Sequence, residues 1–331
     1  MEGWEREVLV GPARLKGGFG VGCGVLVGHA QVPGAPTGCT VVLFPGASAY
    51  AACAMGGAVS YRQVSALLED HAMPYADAIL VTGGSAFGLD SAGGALRWLE
   101  ERGRGVALGT MRVPAVPTVT VFDLTFGIPG VRPDASTGYA ACEAAVAHPV
   151  AEGRVGAGAG TAVGKVLGPG RAMWGGVGAA TVEFQSGLKV SALAVVNAFG
   201  NIHDPETGQC VAGARDMSGG FVDAEHLVLL GILGQRLRGD ATTVGVVVTN
   251  GDLSPTECRR AAVIASQAFP ACIRPCWTAV DGDSVLLASV GEEEAEAHQV
   301  GVAGRSALVR AILRAVAIAN QCEPPCLGEA R

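Results

Sequence analysis

Two threonines, Thr242 and Thr243, stand directly before a run of β-branched residues, where a loop is predicted to enter a strand. A threonine hydroxyl can attack an amide carbonyl when a neighbouring base accepts its proton. The same residues have a purely structural interpretation, because threonine is common in strands. The residue types alone leave both interpretations open.

Asp281 and Asp283 are a second group of possible chemical use. Because side chains alternate along an extended chain, their carboxylates would point to the same side, with Gly282 between them. In that position they could hold an amine. A β-turn explains the Asp-Gly sequence equally well, since both residues are common in turns.

Familiar catalytic and nucleotide-binding motifs are not completed by this sequence. The segment 156–165 resembles a phosphate-binding loop, but Ala159 replaces its first glycine and Val166 stands where Ser or Thr is required. Ser85 follows a predicted strand, but Phe87 occupies the place of the second glycine of a nucleophile elbow. The six histidines show no HExxH spacing. Ser85 is therefore predicted to be a loop or helix-capping serine.

Composition and charge argue against several classes of function. The formal net charge is -7 and lysines and arginines do not cluster, which argues against a nucleic-acid surface. The uncharged stretch 17–61 is interrupted by prolines and glycines, so it is not predicted to span a membrane. The N-terminus carries acidic residues before any apolar run, unlike a signal peptide, and we expect a cytoplasmic protein.

Ten cysteines are spread through the chain. They form no CxxC pair, and no histidine lies near a cysteine pair at a zinc-ligand spacing. We therefore predict reduced thiols rather than a disulfide framework or a structural metal site. No cofactor is expected.

Hydrophobic spacing and turn residues predict alternating strands and helices. A strand over 78–82 leads through glycines into a helix over 92–102, and any strand within 113–122 lies at an edge or starts after the prolines. Ser254 and Glu257 form a predicted capping box for a helix that ends near position 269. The other predicted elements are helices over 139–147, 224–237 and 305–319, a hairpin of 179–184 and 188–197 turning at Gly187, and strands over 243–249 and 284–289. This order predicts layered α/β packing, with sheets flanked by helices.

Five short segments occur together in a fixed order: Thr82 to Asp90 (TGGSAFGLD), Val163 to Lys165 (VGK), Asn197 to Asn201 (NAFGN), Asp204 to Gly208 (DPETG) and Asp281 to Asp283 (DGD). In these segments the chain resembles the DmpA-type peptidases, which include L-aminopeptidase/D-esterases, β-peptidyl aminopeptidases and nylon-oligomer hydrolases. The resemblance spans about Gly20 to Ala319. It implies a single hydrolase domain over 1–331 with an αββα four-layer sandwich of the DmpA/ornithine-acetyltransferase type, in which helices flank mixed sheets.

The resemblance assigns the chemistry to Thr242. In this family a serine or threonine before a hydrophobic strand cleaves the preceding peptide bond and becomes the first residue of a smaller chain. Here that bond joins Ala241 to Thr242, so the products would be residues 1–241 and 242–331. A terminal threonine carries the hydroxyl and also an amine with a pKa near ~8, which can accept the hydroxyl proton around neutral pH without a histidine.

The resemblance also implies supporting roles for other residues. The Asn197 amide would donate to the developing oxyanion, and the Lys165 cation would lower the pKa of the amine or stabilise negative charge. Asp281 and Asp283 would hold the threonine amine or a substrate amine, and Tyr139 would supply a hydroxyl near the site. Each has a structural alternative: a strand end for Asn197, a loop charge for Lys165, a turn for the aspartates and packing for the tyrosine.

The expected function is hydrolysis of a small amide or peptide through an acyl-enzyme on Thr242, by an aminopeptidase-like homo-oligomer of processed heterodimers. One alternative is acyl transfer to an amine instead of water, as in the structurally similar ornithine acetyltransferases. Another is an unprocessed, inactive homologue with a binding role, because relatives often carry Asn or Gly where Ala241 stands here. Thr243 is a one-residue alternative for the nucleophile.

Overall fold

The computed structural model describes residues 8–10, 13–64, 74–128, 130–232 and 241–321. Its α-helices are α1 (Ser91–Glu101), α2 (Ala135–Glu143), α3 (Ala224–Leu229), α4 (Pro255–Ser266), α5 (Ala268–Cys272) and α6 (Ala297–Ala319). Its strands are β1 (Val8–Val10), β2 (Ala13–Gly17), β3 (Leu26–Gln31), β4 (Gly38–Ala54), β5 (Tyr61–Arg62), β6 (Tyr75–Thr82), β7 (Val106–Leu108), β8 (Met111–Val113), β9 (Thr118–Thr120), β10 (Ala162–Val163), β11 (Met173–Trp174), β12 (Gly176–Phe184), β13 (Lys189–Val196), β14 (Asn201–His203), β15 (Cys210–Ala212), β16 (Val244–Gly251), β17 (Ile273–Arg274) and β18 (Ser284–Glu293).

One sheet of eleven strands forms the body of the fold, in the order β1-β2-β12-β13-β16-β18-β4-β6-β9-β5 with β3 paired to β4. The β16–β18 and β6–β9 pairs are parallel and the other neighbours in this sheet are antiparallel. The fold is therefore mixed α/β, as the order of elements predicts.

Strand β4 is 17 residues long and belongs to two parts of this sheet. Its residues 39–43, 48 and 49 pair with β6, and its residues 49–54 pair with β18. The register shifts between Leu43 and Ser48, on either side of Pro45 and Gly46. One strand thus links the β6–β9 region to the β16–β18 region.

Alternation along β13 divides the buried side chains between two clusters. Ala192 and Ala194 belong to a cluster that includes Leu308 of α6. Leu193 and Val195 point to the other face and belong to a second cluster with residues of β4, β6 and β16. Both faces of this strand are therefore covered, which explains its continuous apolar sequence.

A third cluster lies against α1 and α2. Val41 of β4 and Leu80 of β6 pack there with Leu99 of α1. Their chain neighbours Val42 and Val81 belong instead to the cluster that contains Leu193. Helices therefore pack against both the β12–β13 region and the β4–β6 region.

Several predicted elements are confirmed. Strand β6 is followed by glycines and helix α1, the β12–β13 hairpin turns at Gly187 with a φ of 97°, and β9 starts after Pro117. The capping box of Ser254 and Glu257 is present at the start of α4. These features depend on local sequence, which is why patterns identify them.

Other predicted bounds are wrong for identifiable reasons. Helix α2 occupies Ala135–Glu143 rather than 139–147, because the Asp134 side chain accepts the N–H groups of Ser136 and Thr137 and caps its start. Helix α3 ends at Leu229, before Gly231 with a φ of 69°, and the predicted remainder over 233–237 lies outside the described residues.

The predicted helix to position 269 is also divided, since α4 ends at Ser266 and α5 begins at Ala268. Pro270 has no N–H to continue the hydrogen-bond ladder to the preceding turn. Helix α6 begins at Ala297, earlier than the predicted 305. Among the helices described, none combines the length and the apolar character needed to cross a membrane.

Small residues allow α6 to lie close to β12. An added Cβ at Gly178 would overlap the backbone of Ala311 and Ala315 on that helix. We predict that Gly178→Ala lowers the free energy of unfolding by about 1–3 kcal/mol, because the helix must move away. Gly46→Ala is the control, since its Cβ would have no atom within 4 Å. Urea unfolding measures both, and equal losses would show that close helix packing is not the cause.

Candidate active site

Thr242 lies two residues before the start of β16 and is almost fully buried, with 4% of its surface exposed. Its backbone N–H donates to the Asn197 carbonyl oxygen (2.8 Å), and its hydroxyl donates to the Ala241 carbonyl oxygen (2.6 Å). The antiparallel register of β13 and β16 pairs Val195 with Val244 and so brings these residues together. The candidate nucleophile therefore contacts the carbonyl group that precedes it.

The Ala241 carbonyl oxygen accepts a second hydrogen bond, from the Gly282 N–H at 2.8 Å. Ala241 also forms a parallel β-bridge with Asp281. Its methyl group is fully buried in an apolar cluster with Val166 and Phe199. The peptide bond at the predicted cleavage point is thus held by contacts on both its carbonyl and its side-chain side.

Lys165 and Asn197 form a buried pair beside Thr242. The Lys165 ammonium donates to Asn197 Oδ1 at 2.7 Å and to the Asn197 carbonyl oxygen at 3.4 Å. That carbonyl oxygen also accepts the Thr242 N–H. The structure therefore brings together three residues predicted from the sequence, namely the candidate nucleophile Thr242, the Lys165 cation and the Asn197 amide.

The Asn197 side chain is held in one orientation. Its amide nitrogen donates to the Phe122 carbonyl oxygen (2.9 Å), and its oxygen accepts the Ala162 N–H (3.1 Å) in addition to the ammonium. The Asn197 amide nitrogen carries two hydrogens, and one of them is donated to Phe122. The expected hydrogen bond to an oxyanion would use the other hydrogen.

Asp281 and Asp283 are buried in the loop that leads into β18, each with 1% of its surface exposed. The Asp283 carboxylate accepts the Thr243 N–H at 2.7 Å and the Trp277 N–H at 3.5 Å. The Asp281 carboxylate accepts both the N–H (2.8 Å) and the hydroxyl (2.6 Å) of Thr278. The two carboxylates thus have different partners, and one of them holds the residue next to Thr242.

Burial raises the pKa of both carboxyl groups, and the charge of Asp281 adds to the effect at Asp283, whose pKa is raised to about 8. The Lys165 cation acts in the opposite direction on both. The aspartate pair therefore keeps a proton at neutral pH, which limits the net charge buried around the lysine.

Asp123, shortly after β9, is a buried carboxyl that the sequence analysis misses. Its Oδ1 accepts the Gly84 N–H at 2.8 Å. Burial raises its pKa, and the Lys165 cation lowers it, so the lysine lies close enough to influence a third carboxyl. The available signal is an aspartate directly after a valine-rich run, in the segment that also contains Phe122.

Tyr61 and Ser284 form a further pair that the sequence analysis misses. The Tyr61 hydroxyl lies 2.6 Å from Ser284 Oγ, and Ser284 Oγ donates to the Gly282 carbonyl oxygen at 3.0 Å. Burial raises the pKa of Tyr61 to about 12, so it keeps its proton. The residues come from β5 and β18, and only the fold brings them together.

Tyr139 and Ser85 take structural positions. The Tyr139 hydroxyl donates to Glu101 at 2.7 Å, and the guanidinium carbon of Arg97 lies 4.8 Å from the centre of its ring. Both partners are on α1, so the structure places Tyr139 at the α1–α2 contact and not with Thr242. Ser85 begins a 3₁₀ helix over Ser85–Asp90, and its N–H donates to the Val121 carbonyl oxygen.

In the part of the chain that the structure describes, no three His, Cys, Asp or Glu side chains gather where they could hold a metal ion. The cysteines described there are free thiols. The arrangement instead combines a hydroxyl, a carbonyl group within its reach, a cation and fixed N–H donors. These are the parts that acyl transfer to a hydroxyl requires.

Comparisons with known proteins agree with this chemistry. The sequence model of peptidase family S58 matches residues 23–325. An uncharacterized aminopeptidase of Mycobacterium tuberculosis is 38% identical over 324 residues, which cover 88% of this chain and 91% of the relative. A 6-aminohexanoate-oligomer endohydrolase of Kocuria sp. is 28% identical over 298 residues, covering 89% of this chain and 81% of that enzyme.

A solved structure supplies a comparison of folds. The L-aminopeptidase D-Ala-esterase/amidase of Ochrobactrum anthropi has a TM-score of 0.62 and 17% sequence identity, over 92% of this chain and 84% of that chain. It is described as a prototype of the serine aminopeptidases and as a variant of the Ntn-hydrolase fold. The likeness at this identity concerns the fold.

The raised pKa of Asp283 predicts a pH dependence of folding. Because the folded chain binds this proton more tightly than the unfolded chain, the contribution to stability is full below about pH 4 and is lost as the pH rises through about 8. In a Thr242→Ala background, chosen to remove the predicted cleavage nucleophile from both proteins, Asp283→Asn should reduce the loss of unfolding free energy between about pH 5 and about pH 9 by about 4 kcal/mol.

Urea unfolding at the two pH values measures this difference. Glu294→Gln, which changes an exposed carboxyl, is the control and should leave the pH dependence as it is. Equal slopes in the Asp283→Asn protein and its parent would mean that Asp283 is ionised in the folded chain.

Proposed function

The chain belongs to peptidase family S58, and from this premise we propose that it is a self-processing, aminopeptidase-like hydrolase of peptide or related amide bonds with Thr242 as its nucleophile. Membership of the family makes the chain a hydrolase of peptide or other amide bonds. The finer assignment rests above all on one contact, the 2.6 Å hydrogen bond between the Thr242 hydroxyl and the Ala241 carbonyl oxygen.

The proposed first reaction is attack of the Thr242 hydroxyl on the Ala241 carbonyl carbon, which separates residues 1–241 from 242–331. It creates an amine on Thr242, at the nitrogen that lies 2.8 Å from the Asn197 carbonyl oxygen. That amine then accepts the proton of its own hydroxyl during substrate hydrolysis. An acyl-enzyme forms on Thr242, and water releases the product.

Lys165 supports the proposed base. Its ammonium donates to the carbonyl oxygen that also binds the Thr242 nitrogen, so a positive charge lies near the new amine. A nearby cation disfavours the protonated amine and lowers its pKa. More of the amine is then neutral at a given pH, which is the form that acts as a base.

The substrate class follows from relatives that act on amides. The curated relatives are named as an aminopeptidase and as a hydrolase of 6-aminohexanoate oligomers, which are amides with a terminal amine. We propose a small amide or peptide with a free amine. Asp281 and Asp283, which are buried beside the nucleophile, share one proton at neutral pH, and the one negative charge left on the pair would bind such an amine.

We also propose the αββα four-layer arrangement for the fold. Its support is the pattern of three apolar clusters. One cluster contains residues of α4 and α6, and another contains residues of α1 and α2. The third joins residues of the strands β4, β6, β13 and β16. The likeness to an Ntn-hydrolase variant agrees with this proposal. From the sequence we also propose that the processed heterodimers assemble into a homo-oligomer and that the protein is cytoplasmic.

We predict that Thr242→Ala gives a single uncut chain without amidase activity, because no hydroxyl remains at the cleavage point. Thr242→Ser keeps the hydroxyl and should still cut and hydrolyse. Thr243→Val is the control for the one-residue alternative, since Thr243 is fully buried and its hydroxyl has no hydrogen-bond partner among the described residues. It should leave cutting and activity within about threefold of wild type.

Intact mass spectrometry and hydrolysis of an aminoacyl amide measure these outcomes together. The assignment of the nucleophile would be overturned if the Thr242→Ala protein were still cut. It would also be overturned if Thr243→Val were the one variant that stays uncut. Product analysis with added amines separates hydrolysis from acyl transfer. A wild-type protein that stays uncut and inactive would favour the inactive-homologue alternative.

The position of Lys165 predicts a shift in the pH–rate profile. In Lys165→Met the amine loses its neighbouring cation, its pKa rises, and the acidic limb of kcat/KM should move to higher pH by about one unit. Lys189→Met is the matched control on β13, because Lys189 pairs with Glu183 at 3.3 Å on the surface. An unchanged acidic limb in Lys165→Met would exclude this role for the cation.

A further inference from the structure

The Ala241 carbonyl oxygen has two hydrogen-bond donors of different kinds. The Thr242 hydroxyl lies at 2.6 Å but must lose its proton when its oxygen attacks. The Gly282 N–H lies at 2.8 Å and keeps its proton throughout. Negative charge develops on this carbonyl oxygen during the attack, and a fixed donor aimed at it is then most effective.

The peptide unit that carries this N–H is held at its other end. The carbonyl oxygen of Asp281, in the same peptide unit, accepts the Ala58 N–H at 2.9 Å. Since a peptide unit is planar, fixing its carbonyl group also fixes the direction of the Gly282 N–H. The donor therefore points at the Ala241 oxygen before the reaction begins.

The contact at Gly282 leaves no space for a side chain. An added Cβ would lie 2.7 Å from the Thr242 hydroxyl oxygen and 2.8 Å from the Ala58 carbonyl oxygen. Glycine at this position allows the backbone to approach the nucleophile closely.

The next peptide unit is braced from β5 and β18. The Gly282 carbonyl oxygen accepts the Ser284 hydroxyl at 3.0 Å, and Ser284 Oγ lies 2.6 Å from the Tyr61 hydroxyl. Because the Ser284 proton is used on Gly282, Tyr61 is the donor in this second bond. Two hydroxyls thus hold the loop at the peptide unit after Gly282, in addition to the Ala58 contact before it.

We propose that the Gly282 N–H is the oxyanion donor of the self-cleavage step, and that Ser284 and Tyr61 are positioning residues that hold it. This inference rests on the proposed function, because it concerns the same bond. Thr242 Oγ1 bonds to the Ala241 carbonyl carbon, the C–N bond breaks, and the hydroxyl proton ends on the Thr242 nitrogen. Water then hydrolyses the ester, which leaves a carboxylate on Ala241 and restores the hydroxyl.

A backbone substitution tests the donor directly. Cell-free synthesis with a suppressor tRNA that carries glycolic acid replaces the Gly282 N–H by an ester oxygen and adds no side chain. We expect self-cleavage, followed by gel over time, to slow by about 100-fold or more. Glycolic acid at Gly251 is the control, because that N–H donates to Thr249 Oγ1 (3.0 Å) at the far end of β16.

Side-chain variants test the brace. Tyr61→Phe and Ser284→Ala should each slow self-cleavage by about 10-fold, and Ser284→Thr, which keeps the hydroxyl, should restore the rate. The matched controls are Tyr50→Phe, which loses a bond to the Gln63 carbonyl oxygen (3.0 Å), and Ser289→Ala, which loses one to the Gly251 carbonyl oxygen (2.6 Å). Urea midpoints measured in a Thr242→Ala background show whether a slower rate reflects general destabilisation.

The outcomes separate this inference from the proposed function. If the protein with the ester at position 282 cuts itself as fast as the protein with the ester at position 251, the role of Gly282 is overturned. The proposed function still stands in that case, as long as the wild-type protein cuts itself and the Thr242→Ala protein does not. Wild-type protein that never cuts would overturn the proposed function itself. Equal rates in the brace variants and their controls would overturn the roles of Ser284 and Tyr61.

Discussion

The buried ammonium group of Lys165 is the constraint on which the site depends. An unpaired charge in the interior of a protein is strongly unfavourable, so a buried lysine must have hydrogen-bond acceptors and negative charge around it. Asn197 supplies two acceptors, and three carboxyls lie near enough to feel the cation: burial raises the pKa of Asp123, Asp281 and Asp283, and the Lys165 charge offsets part of that rise. These residues lie far apart in the sequence, at the ends of different strands, so the charge cluster forms only when the whole sheet has formed.

The sheet meets this constraint through its strand order. The antiparallel β13–β16 pair sets Asn197 beside Thr242, and the parallel β16–β18 pair sets the loop of Asp281 to Asp283 beside both. The strands β13, β16 and β18, which lead to or from these residues, have buried apolar side chains on both faces. Their position is therefore fixed by packing as well as by hydrogen bonds, which gives the preorganisation that acyl transfer needs.

Features with a local physical cause could be predicted from the sequence. β16 is a run of β-branched residues, the α4 capping box is a local hydrogen-bond pattern, and the resemblance named Thr242, Lys165 and Asn197, which the fold brings together. β4 was not predicted, because Pro45 and Gly46 interrupt its sequence and its pairing changes from β6 to β18 along its length.

The partners of the predicted residues were also out of reach of sequence patterns. Tyr61 meets Ser284 across the fold, and Asp123 approaches Lys165 from another strand end, with no spacing that would indicate either contact. Tyr139 had a role only by resemblance, and the structure turns its hydroxyl to Glu101. Long-range contacts depend on the topology of the sheet, which single-sequence patterns do not determine.

The position of β16 between β13 and β18 gives the proposed cut a lasting consequence. The two products of such a cut would share one hydrogen-bonded sheet, in which β16 of the smaller chain pairs with β13 of the larger one. The continuous precursor folds as a single molecule, whereas denatured mature protein would have to bring two separate polypeptides together. If the chain is cut there, the covalent link would assist folding only once, before the cut, and the lifetime of the cut enzyme would depend on how slowly it unfolds.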